Sequence, residues 1–358
     1  MNKKVFIGIA GGLIGIISVA LVVAGNPGNM GFCIACFLRD IAGALKLQTA
    51  APVQYMRPEI LGLVFGALIM ALAGKQFKAR GGSAPVTRFV LGFITMVGAL
   101  MFLGCPLRMM LRIGGGDLNA VIGLVGFIVG ILFGVVSLKK GFSLRRTFIL
   151  GKAEAWVFPG IIVLMLIMIS VPVLKSLLAF SEEGPGSMHP AVYISLAAGL
   201  IVGALAQRTR LCTVGGIRDA VMFKDTYLLV GFLAIIISCV IMNLIFGKFH
   251  LGFAEQPVAH ADGVWNFLGM VLVGWAGALL GGCPLRQVIL SAEGNVDSVV
   301  TVFGLFAGAA FCHNFSLASS AAGPSPNGKV AVIAGFVIVL IITIVNVQRG
   351  KKAATTNS

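Results

Sequence analysis

The sequence predicts an all-α polytopic membrane protein with about ten transmembrane helices. These helices fall into two inverted repeats, each with two short re-entrant half-helices. Three observations lead there. The 358 residues are 58% hydrophobic and 11% charged, with a mean hydropathy of +1.02, more apolar surface than a soluble domain of this length can bury. The apolar runs are continuous rather than alternating, which excludes a transmembrane β-barrel. Finally, Gly104-Cys105-Pro106-Leu107-Arg108 recurs as Gly282-Cys283-Pro284-Leu285-Arg286.

In chain order, Val5 to Gly25 follows Asn2-Lys3-Lys4 and is too long for a signal-peptide core, so it is expected as a retained first helix. Gly31 to Leu45 is too short to span and carries Arg39-Asp40; it reads as a half-helix. Spans are expected over Pro58–Gly74, Val86–Gly104 and Leu118–Leu138, with the first Cys-Pro half-helix before the last of these. A fifth helix, Trp156 to Leu178, contains Pro159 and Pro172 and should kink. Beyond the polar loop Ser181–Pro190 come Ala191–Ala206, the short Arg210–Phe223, Tyr227–Phe246 and Val264–Gly282. The second Cys-Pro half-helix, Asn295–Cys312 and Val330–Val347 complete the chain, with a disordered tail expected past Lys352. The expected division is 1–150 for the first repeat, 151–190 for a linking helix and loop, 191–328 for the second repeat, and 329–358 for the last helix and tail.

Charge fits this map. With both termini cytoplasmic, most of the 27 Lys and Arg fall inside, while Glu182-Glu183 and the uncharged loop 314–327 fall outside. The positive-inside rule therefore explains the net charge of +15 as a topology signal, and no nucleic-acid partner is expected. A multi-pass protein of a bacterial inner membrane is the expected location.

The repeat extends past the pentapeptide. Cys33, Arg39 and Asp40 stand to Cys212, Arg218 and Asp219 at a spacing that differs by one residue from that between the two Cys-Pro copies. The odd crossing between the halves inverts the second, so opposed half-helices are expected to meet near the midplane. Non-helical backbone is tolerated there only where it lines a cavity or is buried in protein.

Proline at a first helical position marks Pro106 and Pro284 as N-termini, placing Cys105 and Cys283 at or beside the cap. Unpaired N–H groups and the positive dipole end attract anions to such a point, and Arg108 and Arg286 add positive charge. Gly104 and Gly282 complete each junction. A polarizable sulfur there suits a sulfur- or selenium-containing anion. A membrane cysteine is ordinarily a small apolar filler, the role assigned to Cys239 and Cys312. The duplicated Cys33, Cys105, Cys212 and Cys283 are assigned to a substrate path, with Arg39, Arg108, Arg218 and Arg286. Arg39-Asp40 and Arg218-Asp219 have two open readings, mutual neutralisation or substrate contact. Cys36 makes a Cys-x-x-Cys pair with Cys33, but its counterpart is Gly215, so it stands outside the duplicated pattern. Whether the pair forms a disulfide is left open. The four histidines show no metal-ligand spacing and are expected as solvated loop residues; no metal or cofactor is expected. No Walker A, Ser-His-Asp or dinucleotide motif occurs.

At these residues the chain resembles the YeeE/YedE family of sulfur-transport membrane proteins, and Gly31-Phe32-Cys33-Ile34-Ala35-Cys36-Phe37-Leu38-Arg39-Asp40 resembles its YedE selenium branch. The resemblance implies import of thiosulfate or a selenium compound along a narrow path in which Cys33, Cys105 and Cys283 match the path cysteines. A cytoplasmic sulfur or selenium carrier protein is an implied partner, besides the lipid bilayer. Two further readings stand beside an importer: a membrane thiol enzyme carrying sulfur or selenium as a persulfide-like adduct, and a structural subunit without a passage.

Overall fold

A computed structural model describes residues 2–356, with side chains described as far as residue 350. The helices are α1 (Lys3–Val23), α2 (Ile34–Ala44), α3 (Pro58–Ala73), α4 (Pro85–Phe102), α5 (Pro106–Gly114), α6 (Leu118–Lys139), α7 (Lys152–Ser170) and α8 (Pro172–Lys175). They continue as α9 (Val192–Thr209), α10 (Thr213–Phe223), α11 (Tyr227–Ile245), α12 (Gly263–Leu280), α13 (Pro284–Ala292), α14 (Val296–Asn314) and α15 (Pro326–Thr356). Among the described residues, 10 helical stretches are long and apolar enough to cross a membrane. The chain is an all-α multi-pass membrane protein.

The starts of these helices are written locally. Proline occupies the first position of α3, α4, α5 and α13, where its missing N–H costs nothing and its fixed φ favours the helix. Asp117 caps α6 by accepting from Asn119 N–H (2.9 Å), and Asn295 caps α14 by accepting from Ser298 N–H (3.2 Å).

The expected fifth helix is divided. Pro159 lies inside α7, but the helix ends at Ser170, Val171 adopts an extended conformation and Pro172 starts the short α8. The clash of a proline ring with the residue before it turns the expected kink at Pro172 into a break. The expected disordered tail is also corrected: α15 runs on to Thr356, because Gln348, Lys351, Lys352 and the alanines after them are good helix formers. Residues 357–358 of that tail lie outside the described residues. Two-residue strands β1 (Arg80–Gly81) and β2 (Phe148–Ile149) pair antiparallel and tie the α3–α4 loop to the α6–α7 loop.

Helices pair across the two halves of the chain: α1 on α11, α3 on α9, α4 on α14, α6 on α12, with α4 against α12 at the centre. The α1–α11 pairing has its counterpart in α9–α3, and α6–α12 has its counterpart in α14–α4. The helices α7 and α15 break the pattern: α7 packs on α3, α13 and α14, and α15 on α4 and α12. Apolar lipid provides little drive between helices, so close backbone approach at small residues carries association. Gly66 of α3 and Gly130 of α6 show the extreme. A Cβ at Gly66 would lie inside the contact radius of the Leu200 carbonyl oxygen in α9, and one at Gly130 would overlap the Val271 carbonyl oxygen in α12.

Gly66→Val and Gly130→Val are therefore expected to lower stability by about 1–3 kcal/mol each. Gly12→Val, where a Cβ meets nothing within 4 Å, should stay within about 0.5 kcal/mol of the parent. Thermal unfolding in detergent micelles reads the difference.

Candidate functional site

The four duplicated cysteines all sit at the same kind of place. Cys33, Cys105, Cys212 and Cys283 are the N-cap residues of α2, α5, α10 and α13. Each is between 0% and 5% exposed. The first and third share one geometry: the Cys33 thiol accepts from Cys36 N–H and the Cys212 thiol from Gly215 N–H, both at 3.2 Å. Cys105 and Cys283 share another, with ψ near 170° and proline following.

The thiols gather in two clusters, one per half. Cys105 stands beside Cys33 and faces the backbone N–H groups of Arg108 and Ala35. Cys283 stands beside Cys212, facing the backbone of Arg286 and Thr213 and the Thr213 hydroxyl. Cys283 N–H also donates to Cys212 Sγ at 3.5 Å. Each Cys-Pro thiol thus lies where two helix N-termini converge, so the partial positive ends of two half-helices add at one point. Sequence analysis marked Cys105 and Cys283 as capping positions; the same status for Cys33 and Cys212 emerges from the structure. No proline follows either of them to announce it.

Arg108 is fully buried. Its Nε donates to the Asn29 carbonyl (3.1 Å), Nη1 to the Leu103 carbonyl, and Nη2 to the carbonyls of Pro257 (3.3 Å) and Val258 (3.2 Å). Nη1 is also 3.5 Å from Cys36 Sγ. No carboxylate pairs with it among the described residues, unlike the other arginines of the site. Arg286 meets Glu293 at 3.1 Å, Arg39 meets Asp40 at 2.7 Å, and Arg218 meets Asp219 at 2.8 Å. Gly104 and Gly282 leave room for the Arg108 and Arg286 side chains to fold back over the junctions.

Of the two readings for the Arg-Asp pairs, mutual neutralisation is what the contacts display, but the pairs differ in setting. Arg218 and Asp219 are 22% and 21% exposed. Arg39 and Asp40 are buried, and Asp40 is held further by Arg57 Nε at 2.7 Å. Arg57 was not singled out by sequence analysis. It donates to the side chain of Asn26 (3.0 Å) and to the carbonyls of Met188 (3.2 Å) and Pro185 (2.7 Å), and lies over the rings of Phe37 and Tyr55. Asn26 and Ser195 in turn donate to Glu59, each at 3.0 Å. The only sequence signal was a charged Arg57-Pro58-Glu59 opening an apolar helix.

A cavity of about 500 Å³ opens beside the first cluster, lined in part by Arg39, Leu103, Pro185, His313, Ser316 and Ser319. Leu103 is the link to the thiols: its carbonyl accepts from Arg108 and lies 4.0 Å from Cys36 Sγ. Leu103 itself has φ 61°, the left-handed conformation that Gly281 takes at the matching turn before Cys283. Cys312 is among the residues lining the cavity, while Cys239 is fully buried and directs its thiol to the Gly15 carbonyl.

The expectation of solvated histidines is corrected at two of the four. His260 is 2% exposed and bonds the Met101 carbonyl at 2.8 Å. His313 is half-buried with its Nε2 unpartnered, whereas His189 stays exposed, its ring stacked on Tyr55 at 4.0 Å. His260 is drawn in because its loop folds onto the Met101 carbonyl, whereas His250 is exposed as expected. Among the described residues, no group of His, Cys, Asp and Glu could hold a metal ion.

With this geometry in place, comparison with known proteins adds one finding. Residues 208–351 match the family described as Sulphur transport. The matched stretch holds Cys212, Arg218, Cys283, Pro284 and Arg286; the first-half copies lie outside it. No curated protein matches the chain. The match points to a transporter of a small sulfur-containing species rather than an enzyme.

Two expectations concern the framework of the site. Arg57→Ala leaves Asp40 short of a partner in a buried position and should cost about 3–5 kcal/mol, read as a loss of thermal stability in detergent. Burial also lowers the pKa of His260 below its ordinary 6.5. The unfolded chain then takes up a proton that the folded one refuses, so this contribution is present above about pH 6.5 and is lost as pH falls toward the folded value. The stability difference between the parent and His260→Gln should shrink over that window; a difference independent of pH would refute the assignment.

Proposed function

We propose that this protein imports a small sulfur- or selenium-containing anion, thiosulfate or a selenium analogue, along a path marked by Cys33, Cys105, Cys212 and Cys283. The observation that carries the reading is that all four cysteines are buried at the N-cap positions of half-helices, so each stands where helix N–H groups and a dipole end favour negative charge. In this reading the halves are inverted repeats, both termini face the cytoplasm of a bacterial inner membrane, and the Cys33–Cys105 cluster faces outward.

A thiol is a weak donor and a weak acceptor. That weakness suits conduction, which needs sites that bind enough to admit an ion but not enough to hold it. Divalent sulfur and selenium are polarizable and meet another sulfur well, and the anion's oxygens meet the backbone N–H groups. No bond to the substrate is formed or broken along such a path.

The charges support a direction. Arg108 stands beside the outer cluster without a carboxylate, whereas Arg286 beside the inner cluster is balanced by Glu293. The position in the first half that corresponds to Glu293 is Gly115. The outer cluster therefore attracts an anion more strongly than the inner one, which favours capture outside and release inside.

Cys105→Ala and Cys283→Ala should each abolish uptake into proteoliposomes, compared for thiosulfate, selenite and selenide, while leaving folded protein. Undiminished uptake in both variants would refute the path. Intact-mass measurement during active uptake should find no sulfur or selenium adduct on either thiol; a stable adduct would instead indicate a persulfide-carrying enzyme.

A further inference from the structure

Cys36 is the one thiol of the outer cluster that the duplicated design does not require, since Gly215 takes its place in the second half. It is fully buried, and its Sγ lies 2.8 Å from Cys33 Sγ. The two occupy the N-cap and third positions of α2, where the Cys36 N–H points at the Cys33 thiol. The rest of the surroundings is arranged around sulfur chemistry. Arg108 Nη1 is 3.5 Å from Cys36 Sγ, the third thiol of Cys105 stands beside Cys33, and the cavity of about 500 Å³ lies just past Leu103, whose carbonyl is 4.0 Å from Cys36 Sγ. Arg39, one turn further along α2, lines that cavity.

We propose that Cys33 and Cys36 form a reversible two-electron oxidation site, with a small peroxide as oxidant, and that the disulfide closes the path. The proposal rests on the reading that Cys33 lines the path. Sulfur of Cys36 attacks one oxygen of hydrogen peroxide; an S–O bond forms, the O–O bond breaks, and the departing oxygen leaves as water with a thiol proton. Arg108 stabilises the negative charge that develops on that oxygen. Sulfur of Cys33 then attacks Cys36 sulfur; the S–S bond forms, the S–O bond breaks, and a second water leaves with the remaining thiol proton. Two thiols are oxidised and one peroxide is reduced to two waters. A dithiol reductant reverses the change by thiol–disulfide exchange, becoming a disulfide itself.

The effect on transport follows from the donors. In the disulfide neither sulfur carries a proton, so Cys33 can no longer donate to a passing anion beside Cys105. Bond formation also alters the sulfur that Cys33 offers to the Cys36 N–H at the start of α2. The inner cluster has no second thiol of this kind at the Gly215 position, so the site responds to one side of the membrane.

The test uses the full-length protein in proteoliposomes, exposed to hydrogen peroxide, quenched, and treated or not with dithiothreitol. Free-thiol counting and peptide mapping should show that two of the 7 cysteines, Cys33 and Cys36, become linked and are released again by dithiothreitol. Thiosulfate uptake should fall to the level of protein-free vesicles and return with the reductant. In Cys36→Ser peroxide should link no thiols at this site, and the ratio of uptake before and after peroxide should stay at one. Unlinked thiols in the oxidised parent, or a Cys33–Cys36 disulfide that leaves uptake unchanged, would overturn the proposal. Absence of thiosulfate, selenite and selenide uptake in the reduced parent would instead refute the transport reading, and thiol mapping still reports on the oxidation site.

Discussion

A helix that begins inside an apolar slab leaves its first N–H groups without water to bond, and this constraint shapes the whole site. The chain meets it four times with the same device. A cysteine stands at the cap, and at two of the four junctions a proline at the next position removes one of the orphan donors. Serine or aspartate would cap these ends more strongly. A thiol satisfies the donors only weakly, so part of the N-terminal field stays available to something else. Placing two such ends together in each half doubles the field without adding a side-chain charge.

The buried arginines divide into those that hold the structure and one that leaves a charge over. Arg57 and Arg39 share Asp40, and Arg112 lies on Asp117 at 2.6 Å. Breaking such a buried pair exposes an uncompensated charge, so these contacts fix how α2, α3 and the 185–188 loop meet. Arg108 is different because its partners are backbone carbonyls, which satisfy its hydrogen bonds without cancelling its charge. The first cluster therefore keeps a net positive field in a low-dielectric setting, where charge acts over a longer range than in water.

Some of this was legible residue by residue. Pro106 and Pro284 announced helix starts because the proline ring fixes φ whatever surrounds it, and the structure begins α5 and α13 at those residues. Arg39 and Asp40, adjacent in sequence, were readable as a pair for the same local reason. Arg57 was not, because its partners come from Asn26, Asp40, Pro185 and Met188, segments brought together only by packing. The burial of His260 was hidden likewise: nothing near it in sequence says that its loop will fold onto Met101.

What the sequence determined by itself was the membrane class, the number of long apolar helices, and the places where helices start inside them. Those properties depend on composition, run length and the covalent geometry of proline, none of which needs a partner. The tertiary structure alone decided which thiols share a cluster and which of the buried arginines lacks a carboxylate. Each of these is a distance between residues far apart in the chain, set by glycine-mediated helix crossings such as Gly66 on Leu200 and Gly130 on Val271.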